Sequence, residues 1–197
     1  MREVKLTTPL SEKDVRALEV GDRVLLSGQV VTARDRAHRY LVEEAVPGKL
    51  PFDLAGGVVY HCGPVTRRRD DGTWELIAAG PTTSARMNAY VGALVERFGV
   101  RAIIGKGGMA AGLLKTFGEC GAVYLSAVGG AAQSLAAAVE RIDGCHKVDE
   151  FGAPEGLWLL GVRDFPTVVT MDAHGRSLHD EVEATSGRQL RTFLDTA

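Results

Sequence analysis

No run of apolar residues in this 197-residue chain is long enough to cross a bilayer, and the opening MREVKLTTPLSEKDVRALEVGDRV lacks the apolar centre of a signal peptide. A cytoplasmic protein with no membrane partner is expected. A basic excess is missing too: 23 Lys and Arg stand against 25 Asp and Glu, giving a formal charge of -2 and a sequence pI near 6.2. Phosphate-driven affinity needs such an excess, so a general nucleic-acid partner is not expected, although a local basic pocket remains open. Cysteine is scarce. Cys62, Cys120 and Cys145 are odd in number and widely spaced, which fits neither a disulfide framework nor a zinc site. Folding can gather three distant cysteines around an iron–sulfur cluster. However, Cys62 follows the strand-like VVYH and Cys120 lies in the turn FGECGA, so small buried or half-buried residues are the expectation. No low-complexity segment or linker divides the chain, and its length suits one domain over residues 1–197.

What is present is organised by alternation. SEKDVRALEV reads as a capped helix, with Ser11 as N-cap and Asp14 three residues on. DRVLLSGQVVTARD reads as two strands around Ser27-Gly28, RDRAHRYLVEEA as a short helix or turn, and VPGKLPFDLAGG as a loop. GVVYHCGPV is a buried strand ending at Gly63-Pro64, and TRRRDDG a solvated turn. From Trp74 onward an apolar run three times enters a glycine-rich turn and leaves as a helix: WELIAAGPTTSARMNAYV, RAIIGKGGMAAGLL and VYLSAVGGAAQSLAAAV. In the first helix Met87, Val91, Leu94, Val95 and Phe98 share a face, and Glu96 and Arg97 fall outside it. This alternation predicts a mainly parallel α/β sheet with crossover helices, which gathers the turns along one edge, where such proteins bind ligands. The three glycine turns should therefore meet. In the tail, GLWLLGVRDF and TVVTMDAHGRSLH carry short β-like runs, the second broken at Ala173-His174-Gly175, as strands added to the sheet or as a second layer.

The turn RAIIGKGGMAAGLL places Lys106 among glycines and admits several readings. A P-loop needs a glycine at position 100 and Ser or Thr after the lysine; Val100 and Gly107 stand there, so that reading fails. IIGKGG also resembles the backbone-clamping loop of KH domains, which keeps a KH-like RNA-binding module as an alternative of another class. The acidic balance and the helix over 84–98 oppose it. In the neighbouring turn, Thr82, Thr83 or Ser84 can cap the following helix, whose free N–H groups attract an anion. Arg86, in the first turn of that helix, can hold a carboxylate through two parallel bonds, against the helix dipole, or it is a solvated surface charge. Gly105, Gly107 and Gly108 read as structural turn glycines that permit a tight bend and close approach, and Met109 as core.

GPTTSARM (80–87), IGKGGM (104–109), RDRAH (34–38), LPFDLAG (50–56), SAVGGAA (126–132) and RDFPTVVTMDAHG (163–175) together resemble the β subunit of class I fumarase and L(+)-tartrate dehydratase. The resemblance covers nearly the whole chain. It implies a swivelling β/β/α domain, a mainly parallel sheet with crossover helices plus an additional β layer. It also implies one half of a heteromeric iron–sulfur hydro-lyase, active only with an α subunit that carries the [4Fe-4S] cluster, in an α2β2 heterotetramer. This chain alone would bind no cofactor. The substrate would be a small dicarboxylate, malate or fumarate, with L(+)-tartrate as the near alternative and a stand-alone anion-binding protein as a third reading.

By the same resemblance, Thr82 maps to the threonine proposed to abstract the carbon-bound proton, or serves as a plain N-cap. Arg34 and Arg86 map to substrate-binding arginines and Lys106 to a lysine with catalytic and binding roles, with Thr83 counted among the substrate-binding residues. A hydroxyl is a poor base unless nearby positive charge lowers its pKa, a field that Lys106 and Arg86 would supply. Asp35 is expected to orient Arg34, and His38 to hydrogen-bond behind it. Arg36 stands where the family's run often carries a small residue, which leaves open which arginine points inward. His174 with Asp172 reads as a turn and His146 as exposed.

Overall fold

The computed structural model describes residues 1–195. Its longest strand pair is antiparallel, β2 (Arg23–Thr32) against β9 (Leu157–Met171). β1 (Glu3–Thr7) and then β3 (Val58–Tyr60) lie parallel along the opposite edge of β2. From β3 the parallel pairing continues through β6 (Ala102–Gly105) to β7 (Val123–Ser126). β7 then pairs antiparallel with the end of β9, so β2, β3, β6, β7 and β9 close on themselves. β8 (Val139–His146) adds to the remaining edge of β9. The fold is mixed α/β with mostly parallel strands.

Side-chain alternation sorts these strands between two cores. Tyr60, Ile104 and Leu125 join Leu26, Trp158, Leu160 and Phe165 in one. Their neighbours Val59, Ile103 and Tyr124 point the other way, under α2 (Asp35–Glu43), α3 (Asn88–Phe98) and α4 (Leu113–Cys120). The apolar stripe of α3 is buried there, each large side chain contributing roughly 1.5–3 kcal/mol. α3 and α4 both stop at a glycine in the left-handed region, Gly99 (φ 66°) and Gly121 (φ 65°). α1 (Glu12–Arg16) is shorter than its sequence pattern but carries the expected reciprocal cap, with Ser11 Oγ accepting from the Asp14 N–H at 3.1 Å.

Four local expectations are corrected. The segment around Ser27-Gly28 is one strand with an irregularity between Leu26 and Gly28, where Gly28 takes φ 100° and lies against Thr8. The two tail runs are likewise one 15-residue strand. Pro166 is tolerated within it because the partners on that edge change there: β8 reaches only Val162 and β7 begins at Val168. TRRRDDG closes a separate hairpin of β4 (Val65–Arg68) and β5 (Trp74–Ala78), so the first glycine turn is entered from outside the main sheet. After the MDAHG turn the chain enters α7 (Leu178–Asp195), a helix without buried residues, rather than a returning strand. Two short helices complete the chain, α5 (Ala132–Ala136) and α6 (Val148–Phe151).

Candidate functional site

The three glycine turns meet. Thr82 donates its N–H to the His61 carbonyl (2.6 Å), Lys106 donates to the Thr82 carbonyl (3.3 Å), and Ser84 donates to the Lys106 carbonyl (3.0 Å). The third turn joins through Ala127, whose N–H reaches the Gly105 carbonyl at 2.8 Å. Gly129 lies against the Lys106 stem, where a Cβ would come 3.2 Å from Cδ. The lysine turn leaves strand β6 and does not join two helices, as a KH clamp would require.

The cations are held differently from one another. Residues Ser84–Met87 form a 3-10 helix ahead of α3, so Arg86 sits before α3 rather than in its first turn. None of Thr82, Thr83 and Ser84 caps it: Thr83 occupies the cap position without a side-chain bond. Arg86 forks onto Asp35, with Nε to Oδ1 at 3.1 Å and Nη2 to Oδ2. Asp35 therefore orients Arg86, and Arg34 has another partner. Its Nε lies 3.3 Å from Oε1 of Glu155, whose Oε2 accepts the Arg36 N–H at 2.9 Å. Glu155 thus caps α2 from the loop before β9. Arg36 turns its guanidinium over the Phe151 ring, 4.5 Å from the centroid, whereas Arg34 packs against Gly63. Lys106, half-buried, forms no ion pair among the described residues. Thr82 is half-buried and Thr83 exposed.

Beneath these groups runs a buried polar chain. Tyr124 donates its hydroxyl to Ser84 Oγ (2.9 Å), which lies 2.8 Å from His61 Nδ1. The His61 and His38 rings meet edge to face at 4.8 Å, and His38 Nδ1–H donates to the Arg34 carbonyl at 2.9 Å. Burial holds the His38 pKa down to about 4 against the opposing pull of the Arg34 carbonyl and Asp35. Burial, with His38 as a like neighbour, holds His61 well below its ordinary value. The same desolvation pushes Tyr124 up to about 12, opposed by hydrogen bonds to Ser84 and the Gly108 backbone. At neutral pH this chain is uncharged. The charge comes from Arg34, Arg86 and Lys106 against Asp35 and Glu155, three cations to two carboxylates.

The turn glycines have separate reasons to be glycine. A Cβ on Gly105 would collide with Ser84 Oγ and come 3.1 Å from the Tyr124 hydroxyl, so this position needs space. Gly107 (φ 78°) and Gly108 (φ 71°) need the left-handed backbone, and a Cβ on Gly108 would also strike the His179 ring.

The Fumarase C-terminus family model matches residues 1–182. The chain belongs to the Fumarase C-terminus family. A putative fumarate hydratase class I from Geobacillus stearothermophilus is 46% identical over 194 residues, covering 98% of this chain but 37% of that protein. The chain thus spans little more than a third of that relative. A putative L(+)-tartrate dehydratase subunit beta from Methanocaldococcus jannaschii is 47% identical, covering 94% of this chain and 95% of its own. The L(+)-tartrate dehydratase subunit beta of Escherichia coli K12 is 38% identical over 88% of this chain and 85% of its own.

This member of the Fumarase C-terminus family offers poor ligands for an iron–sulfur cluster. Cys62 is buried with its thiol pushed up to about 12 by desolvation, Cys120 ends α4, and Cys145 is exposed on β8. No group of three or more His, Cys, Asp or Glu among the described residues is placed to hold a metal ion. Nor is any helix there long and apolar enough to cross a membrane. Sequence reasoning missed His61, Tyr124 and Glu155, and weighed Ser84 only as one of three possible caps. His146 is half-buried rather than exposed, its Nε2 3.0 Å from the Tyr40 hydroxyl. His174 does sit in a turn, its N–H donating to Asp172 Oδ1 at 2.9 Å.

Proposed function

We propose that this chain is the β subunit of a heteromeric iron–sulfur hydro-lyase, a single swivelling β/β/α domain over residues 1–197, interconverting malate and fumarate in the cytoplasm. The [4Fe-4S] cluster, which would activate the departing hydroxyl, belongs to an α subunit, and the active species is an α2β2 assembly. The observation that carries this reading is the meeting of the turns, which sets Lys106, without an ion pair among the described residues, beside Thr82, four residues before the Asp35-bound Arg86. A diacid needs several fixed cations at such a spot, and this chain supplies them.

Within that reading Arg34, Arg86 and Lys106 hold the carboxylates, with Thr83 at the rim, and the planar fork of Arg86 suits a bidentate pair. Thr82 takes the carbon-bound proton. Its hydroxyl works as a base because Lys106 favours the deprotonated form, and the uncharged His38, His61 and Tyr124 below add no competing charge. Holding the diacid by both ends keeps that proton in line with Thr82.

L(+)-tartrate is the second reading, favoured by the two relatives named as tartrate dehydratase β subunits, which match over most of their length. Co-purification of this chain with its α-type partner under anaerobic conditions, followed by turnover on malate, fumarate and L(+)-tartrate, tests both. Turnover of tartrate alone selects the second reading. A stable cluster and dehydratase turnover on this chain by itself would overturn the assignment.

A further inference from the structure

The buried chain under the turns has a geometry that ordinary packing does not require. Ser84 is fully buried, yet its hydroxyl is the meeting point of three elements: Tyr124 from β7 donates to it, His61 after β3 faces it, and Gly105 at the end of β6 leaves the slot it fills. His61 holds the same turn twice, through its ring at Ser84 and through its carbonyl at Thr82. Tyr124 likewise touches both turns, at Ser84 and at the Gly108 backbone. Thr82 and Arg86 lie two residues either side of Ser84. With one proton and two lone pairs, Oγ accepts from Tyr124 and still hydrogen-bonds His61 Nδ1 in either ring tautomer.

We infer that Ser84 is a positioning residue, whose hydroxyl, clamped between Tyr124 and His61 in the slot left by Gly105, sets where Thr82 and Arg86 stand relative to Lys106. The inference rests on the hydro-lyase reading. A serine hydroxyl is small enough to share that slot with two larger polar groups, and an alanine would remove the acceptor of the Tyr124 hydroxyl and the partner of His61 Nδ1. The turn could then slide against β6 while the fold around it persisted. Misplacing reacting groups by about 1 Å can lower turnover on the order of 100-fold.

The test separates filling of the slot from the hydrogen bonds made in it. Ser84→Ala, Tyr124→Phe, Gly105→Ala and the double variant Ser84→Ala/Gly105→Ala are each assembled with the α-type partner, and their melting, kcat and KM are compared with wild type. Ser84→Ala should lose roughly 10- to 100-fold in kcat with a smaller change in KM. Tyr124→Phe should lose less, because the His61 contact remains. Gly105→Ala alone should melt far lower, since its methyl meets Ser84 Oγ. In the double variant the methyl takes the place of that oxygen, so melting should return to the Ser84→Ala level while kcat stays low. Wild-type kcat in Ser84→Ala or in the double variant would overturn the inference and leave the hydro-lyase reading standing. A wild-type assembly without turnover on any of the three diacids would overturn both.

Discussion

His38 makes the folded chain sensitive to mild acid. It is fully buried on α2 against His61 after β3 and near Tyr90 of α3, with Arg34 and Asp35 as the charged groups closest along its own element. Burial lowers its pKa from 6.5 to about 4. Between those values the unfolded chain binds a proton that the folded chain rejects, so unfolding takes up protons and stability falls as pH falls. Moving from pH 7 to pH 5 should remove about 2 kcal/mol through His38 alone, and the full shift is worth about 3 kcal/mol once pH drops below the folded value. His61 and the half-buried His146 act in the same direction. Paired carboxylates such as Asp22 and Glu75, whose pKa values are lowered by Arg2 and Arg67, begin to contribute only below about pH 4.5. The window from pH 7 to 5 therefore isolates the histidines.

The assay is urea unfolding of the chain at pH 7, 6 and 5, for wild type and for His38→Asn. An Asn amide can replace the Nδ1 donor to the Arg34 carbonyl but cannot titrate. The variant should be less stable at pH 7, because the ring is lost from a packed site. Its loss of stability between pH 7 and 5 should be smaller than wild type's by about 2 kcal/mol, with His146 common to both and His61, relieved of its like neighbour in the variant, shifting in the same direction. Equal pH dependence in the two proteins would refute the reasoning.

Truncating Arg86 or Lys106 to Ala in the assembled enzyme should weaken diacid binding by roughly 1.5–3 kcal/mol, or one to two powers of ten, with little change in melting. Steady-state kinetics of the double variant should show less than the summed loss if both hold one substrate. Glu155→Ala should lower stability by about 1 kcal/mol, because it removes the acceptor for the Arg36 N–H and the partner of Arg34. Glu155→Gln, which keeps an acceptor, should lose less in the same urea titration. Filter binding at low and moderate salt should find no salt-sensitive RNA affinity; micromolar binding abolished by Gly107→Asp would favour the KH alternative.

What was legible in the sequence was local. The stripe from Met87 to Phe98 could be read because a helix repeats its neighbours every three or four residues, and the reciprocal cap of Ser11 and Asp14 spans one turn. The second and third glycine turns follow the neighbouring parallel strands β6 and β7, as the alternation predicted, whereas the first joins them from a separate hairpin through backbone bonds that the pattern did not carry. Ser84 was read only as one of three possible caps, with Thr82 and Thr83, because serine before a helix is a common cap. Its actual partners stand 23 and 40 residues away, at His61 and Tyr124, inside apolar runs that look like plain core strands. Glu155 carries no local signal either; its two contacts are 119 residues away at Arg36 and further still at Arg34.

The pairing of the cations also orders their expected roles. Arg34 is bound to a carboxylate whose second oxygen is committed to the cap of α2, so a ligand that displaced Glu155 from Arg34 would strain that cap. Asp35 has a freer hand: it meets Arg86 at a site roughly half exposed, where ion pairs are worth little, so a substrate carboxylate can compete for the fork. Lys106 has no chain carboxylate to displace among the described residues. A diacid entering this site would therefore engage Lys106 first, exchange with Asp35 at Arg86 next, and leave Arg34 to act through its charge while still held by Glu155. That order makes Lys106→Ala the more damaging of the two truncations at low substrate concentration. It also makes Asp35→Asn a variant that should tighten diacid binding by releasing Arg86 from its competitor, an outcome that equilibrium binding to the assembled enzyme can read directly.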